Sequence, residues 1–134
     1  MGARRRAREL ALQMLYSYDV CGMKPEETGK TLLKPFKIKS EIQDFALEIV
    51  NNTIENLAEI DALISRYAKN WQLKRITSVD RCIIRLASSE IMCMKETPIN
   101  VIIDEAIELA KKYSTEDSGK FVNGLLDRIK EARK

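Results

Sequence analysis

Four arginines, Arg4, Arg5, Arg6 and Arg8, open the segment ARRRARELALQMLYSYDV, and Tyr16 follows about two helical turns after the last of them. Guanidinium groups meet phosphate through planar, two-pronged hydrogen bonds, and a phenol ring offers a stacking plane to an unpaired base. The start of a helix is the wrong end for cations, because the macrodipole disfavours each by roughly 0.3–1 kcal/mol. Helix stability therefore did not place these arginines; an anionic partner accounts for them. A second group, Asp117-Ser118-Gly119-Lys120-Phe121, falls at the start of a later helix. Backbone N–H groups there favour anions, and the small Ser-Gly pair allows close approach. Asp117 or Ser118 serves equally well as an ordinary N-cap, and Phe121 as a core residue. This second group gains meaning only beside the first.

The elements that must position these residues read as helices. At about 100° per residue, Ala7, Leu10, Ala11, Met14, Leu15 and Tyr18 share one arc, the expected core face of a helix over residues 3–20. Arg5, Leu12 and Tyr16 fall nearly opposite, with Arg8 and Glu9 beside them, which predicts an outward strip. Gly22 and Pro25 break the chain, and one short helix fits between Pro25 and Pro35. Ser40 and Gln43 stand at capping-box spacing before the stripe Ile42, Phe45, Ala46, Ile49, Val50. Beyond it, Asn56 and Glu59 could cap a further helix, or one bent helix could run from Ser40 to Asn70. Residues 70–76 read as a linker, with Trp71 plugging the joint. Thr77 and Asp80 then offer a cap for SVDRCIIRLASSEIMCM, apolar around most of its circumference and so a buried central helix. Its Arg81, Arg85 and Glu90 call for ion-pair partners. After Pro98, Ile103, Ala106, Ile107, Ala110 and Tyr113 share one face; Phe121, Val122, Leu125, Leu126 and Ile129 share another, across the polar hinge STEDSGK. Gly124 sits inside that last helix, either where a second backbone packs closely or as a tolerated glycine. The expectation is an all-α fold, a compact bundle of six to seven helices in one domain, with subdomains of roughly 1–75 and 76–134.

Composition narrows the chemistry. The chain has 134 residues, 32% of them charged, a net charge of +3 and no histidine. The commonest general base and the commonest transition-metal ligand are thereby missing. Cys21, Cys82 and Cys93 have no CxxC spacing and read as small buried hydrophobes in a reducing compartment. There is no Rossmann glycine fingerprint and no phosphate loop of the GxxxxGK type. No catalytic residue, metal or cofactor is expected. The arginine-rich start lacks the apolar core of a signal peptide, and no apolar run approaches the roughly 18 residues of a membrane span. The protein reads as cytoplasmic, without a membrane partner.

Three stretches, RRRARELALQMLY, WQLKRITSVDRCIIRLASSE and PINVIIDEAIELAKKYSTEDSGKFVNGLLD, together resemble the NusB family of bacterial transcription antitermination factors. The likeness runs from Arg4 to Ile129, with EAIELAKKY and KFVNGLLD its most specific parts. It implies an all-helical fold of two small bundles and a non-enzymatic function: binding of single-stranded boxA RNA jointly with the small-subunit ribosomal protein that acts as NusE. With RNA polymerase and other Nus factors, that pair supports processive transcription of ribosomal RNA operons. By position, the family's RNA-binding start matches Arg4, Arg5, Arg6, Arg8 and Tyr16, and its second RNA-contacting region matches Asp117, Ser118, Lys120 and Phe121. A helical adaptor that binds protein alone, with Leu12 and Tyr16 on its partner, remains the alternative. Monomer and homodimer are both open. Similar domains begin some RNA cytosine methyltransferases, but this chain ends at Lys134 without an S-adenosylmethionine-binding domain.

Overall fold

The computed structural model describes residues 2–31, 37–68 and 75–133. Among these there is no strand. The helices are α1 (Ala3–Cys21), α2 (Pro25–Thr31), α3 (Ser40–Glu55), α4 (Leu57–Tyr67), α5 (Ser78–Cys93), α6 (Ile99–Tyr113) and α7 (Glu116–Ile129), followed by a 3-10 turn, Lys130–Ala132. None is long and apolar enough to cross a membrane. Most of the expected linker, with Trp71, lies outside the described residues.

The helix ends have local causes. Gly22 closes α1 in the left-handed conformation, φ 71°, with its N–H bonded to the Tyr18 carbonyl at 3.0 Å. Pro25 opens α2, where its missing N–H costs nothing. Asn56 alone separates α3 from α4, so the two are distinct helices. Thr77 caps α5 as its spacing predicts, accepting from the Asp80 N–H at 3.3 Å. Ser40 is not a cap. It is already helical, and Gln43 instead donates to the Ile38 carbonyl at 3.3 Å. Nor does Asn56 cap α4 with its side chain, which donates back to the Asn52 carbonyl at 2.8 Å. The expected hinge STEDSGK is shorter than its polarity implied. Thr115, neither Asp117 nor Ser118, caps α7 by accepting from the Ser118 N–H at 3.0 Å, and Glu116 and Asp117 fill the first turn, where the dipole favours them.

α5 is the axis of the bundle, packed against α1, α3, α4, α6 and α7. Every residue from Cys82 to Ile91 is buried, as expected for a helix apolar on nearly all sides. Its arginines are paired, whereas the buried Ser88 hydroxyl has no hydrogen-bond partner among the described residues. Arg85 forks onto Asp61 at 2.8 Å through both Nε and Nη2, and reaches Asp19 at 3.3 Å; Arg81 meets Asp19 at 3.0 Å. The Ser118 hydroxyl donates to Asp80 at 2.8 Å and ties α7 to the first turn of α5. At the other end of α5, the Arg133 guanidinium donates to the carbonyls of Glu90, Ile91, Met94 and Thr97 at 2.6–3.1 Å. A cation there suits the negative end of the helix dipole, although the Glu90 carbonyl also accepts from the Met94 N–H.

Besides the arginines of α1, four side chains depart from their expected places. Leu12 is buried rather than outward, because α1 is enclosed on more than its core arc. Tyr113 is exposed rather than in the core. It stands ten residues beyond Ile103, about 80° off that residue's line. Cys21 and Cys93 are exposed free thiols. Only Cys82 is a buried hydrophobe, its thiol pushed up to about 12 by burial and by nearby Asp19.

Gly124 is exposed, with no described neighbour within 4 Å of a Cβ built there, so no second backbone packs on it. Gly119 is the tight position, where a Cβ would meet Lys111 at 3.0 Å across the α6–α7 contact. Gly124→Ala should therefore stabilise the fold by about 0.5–1 kcal/mol. Calorimetry should show a melting temperature about 2–4 °C higher. A lower one would mean that the glycine serves a contact after all.

Candidate nucleic-acid interface

The four arginines of α1 do not form one outward strip. Successive residues on a helix point about 100° apart, and each guanidinium finds a different neighbour. Arg4 is exposed and lies over the Phe45 ring of α3, 3.7 Å from its centroid, at cation–π distance. Arg5 is half-buried and forks onto Glu105 of α6, with N–O distances of 2.6, 2.9 and 3.2 Å. Arg6 is exposed, its nearest charge Glu9 at 3.6 Å. Arg8 corrects the expectation most sharply. Its side chain is 7% exposed and makes a two-pronged pair with Glu90 of α5, itself 3% exposed, at 2.8–3.2 Å. That leaves no surface on which Arg8 could meet a phosphate.

Tyr16 is outward as expected, 40% exposed. It lines a groove of about 340 Å³ with Arg6, Glu9, Leu12, Gln13, Val79 and Tyr113. Leu12 and Val79 give this groove apolar surface, and Tyr113, with the Lys112 ammonium 5.4 Å from its ring centroid, adds a second exposed aromatic. Across the first turn of α5 lies a second cleft, of about 320 Å³, lined by Arg75, Ile76, Thr77, Asp80, Thr115, Asp117, Ser118 and Phe121. Val79 borders the first cleft and Asp80 the second; Tyr113 borders the first and Thr115 the second. The fold thus brings the start of α7 alongside the Tyr16 groove.

Within the second cleft Asp117 is exposed, Phe121 is half-buried against the core, and Lys120 projects to solvent nearby. Ser118 is buried, with its hydroxyl spent on Asp80 and its N–H on the Thr115 side chain. Sequence reasoning missed Tyr113, Val79 and the acidic partners Glu9 and Glu105. The 80° offset of Tyr113 was a signal for the first of these, and the i,i+3 spacing of Arg6 and Glu9 for that pair; Val79 and Glu105 depend on which helix packs across α1, which spacing alone does not encode.

The family model for NusB matches residues 5–131. The chain is 48% identical, over an alignment of 144 residues, to the transcription antitermination protein NusB of Elusimicrobium minutum, covering all of this chain and 97% of that protein. Among solved structures it is similar to T. maritima NusB, with a TM-score of 0.87 and 41% identity over 97% of this chain and 92% of that one. It is also similar to a chain in the crystal structure of antitermination factors NusB and NusE in complex with dsRNA, with a TM-score of 0.88 and 31% identity over 98% of both. Sequence and fold agree over the whole length, and the chain belongs to the NusB family.

Proposed function

We propose that this protein is a transcription antitermination factor that binds boxA RNA together with the small-subunit ribosomal protein acting as NusE. In an antitermination complex on RNA polymerase, the pair would support processive transcription of ribosomal RNA operons. No bond is made or broken; the work is tethering. The observation that carries this reading is that two clefts flank the first turn of α5, one with Tyr16 and Arg6, the other with Asp117 and Phe121. Cations draw the phosphate chain in and aromatic faces take its unpaired bases, the combination that suits single-stranded RNA. Arg4, Arg5, Arg6, Tyr16, Asp117, Ser118, Lys120 and Phe121 form the proposed contact surface. Arg8 contributes by fixing α1 on α5. Support comes also from the names of the relatives and from the solved NusB–NusE complex with dsRNA.

The test is a titration of boxA-like and scrambled RNA, with and without the ribosomal partner. Binding alone should be weak and poorly selective, since Arg5 and Arg8 of the basic patch are held by carboxylates, and should tighten and become selective when the partner is added. Equal boxA affinity in both conditions would contradict the joint mode. The apolar surface of the Tyr16 groove favours a second reading, in which the groove receives an apolar side chain of the protein partner. Loss of partner binding without loss of RNA binding on Tyr16→Ala would select it.

A further inference from the structure

Three of the outer cations of this surface, Arg5, Arg6 and Lys112, already face carboxylates. Arg5 forks onto Glu105, and both Arg6 and Lys112 reach Glu9, at 3.6 and 2.6 Å. The cations remain accessible, with side chains 39%, 44% and 54% exposed, while Glu9 and Glu105 lie beneath them at 7% and 16%. A phosphate arriving at Arg5 therefore meets a guanidinium whose Nε and Nη2 are committed to a carboxylate of the same shape and charge as its own oxygens. On that edge it gains only the difference between two similar pairings, and on any other it meets a charge already largely neutralised. This contrasts with a bare arginine cluster, which takes up any polyanion.

Building on the RNA-binding reading above, we infer that Glu105 is a selectivity-determining residue, an internal competitor that denies Arg5 to RNA unless other contacts already hold the strand. The arrangement withholds the sequence-independent part of the affinity, because backbone attraction is the part that does not discriminate. Base contacts and the protein partner then decide what binds. Hydrogen bonding to Arg5 also holds the Glu105 carboxyl below its usual range, so the competitor stays charged at neutral pH.

The experiment measures binding of boxA-like and scrambled RNA to Glu105→Gln at about 50 mM and 200 mM salt, a range over which phosphate contacts weaken steeply. Glutamine keeps the shape and a hydrogen bond to Arg5 but not the charge. Scrambled RNA should bind roughly 5-fold tighter at the lower salt, the worth of one partly exposed charge pair. Its salt slope should steepen by about 0.7 and the preference for boxA should fall. Glu108→Gln makes the same change in net charge at a carboxylate paired with Lys111, and should shift binding by less than about 2-fold. In an Arg5→Gln background the Glu105→Gln effect should vanish. Affinity for scrambled RNA that Glu105→Gln leaves unchanged or lowers, with the fold intact by circular dichroism, overturns the inference and makes Glu105 a residue that merely positions Arg5. Failure of the parent protein to bind either RNA, with or without the ribosomal partner, would instead sink the RNA reading itself.

Discussion

Arg8→Ala should destabilise the protein by about 3–5 kcal/mol, the cost of leaving a buried carboxylate without its partner. Glu90 lies on the central helix at 3% side-chain exposure, where it pairs with the Arg8 guanidinium through three N–O contacts of 2.8–3.2 Å. Removing the guanidinium also strips a cation from beside the Phe45 ring, whose centroid lies 5.7 Å away. For a domain with about 5–15 kcal/mol in total, this approaches unfolding. Urea denaturation should show the midpoint falling sharply with little change in slope. Arg8→Met combined with Glu90→Met should recover most of the loss, since apolar side chains of similar volume often replace a buried pair at no net cost. Arg6→Gln, at an exposed site, should stay within about 0.5 kcal/mol of the parent protein. A loss below about 1 kcal/mol for Arg8→Ala would mean that Glu90 reaches water and that the pair is not buried.

That one residue also marks how far the sequence could be read. Helical periodicity located the helices and the apolar stripes of α3, α5 and α7 because both depend on local spacing alone. The all-round apolar character of Cys82–Ile91 announced a central helix. The likeness to NusB pointed to the same fold. What periodicity could not resolve was α1, where the stripe gives one buried arc and packing buries more than one. Arg8 and Leu12 lie outside that arc and are nonetheless enclosed. A buried arginine is worth its place only with a carboxylate opposite, and Glu90 is 82 residues away in the chain. Its own need for a partner was legible; which arginine would meet that need was not. The same holds for Arg5 and Glu105, which are 100 residues apart. Tyr16 faces outward as its position opposite the arc predicts, because the neighbours brought to it, Val79 and Tyr113, leave an open groove there.

Tyr16→Ala should weaken RNA binding by about 10- to 100-fold, in line with roughly 1–3 kcal/mol for one base stacked on an aromatic face. Its ring is 40% exposed at the mouth of a groove that also holds Tyr113 and Arg6, so the loss falls on contact with the ligand. Stacking is nearly independent of salt, and the slope of log K against log salt should barely change. Arginine replacements should behave in the opposite way. Four free arginines would contribute a slope of about −3, at about −0.7 each for single strands. With Arg8 buried and Arg5 held by Glu105, the exposed Arg4 and Arg6 leave about −1.4. Arg4→Gln with Arg6→Gln should flatten the measured slope by about that much, while thermal stability stays close to that of the parent. Three outcomes of the tyrosine experiment discriminate. A salt-independent loss seen with RNA alone assigns the ring to a base. A loss seen only when the ribosomal partner is present assigns the groove to protein. A fall in folding stability of about 2 kcal/mol or more, the cost of losing a core side chain, would place Tyr16 in the core and remove it from the interface.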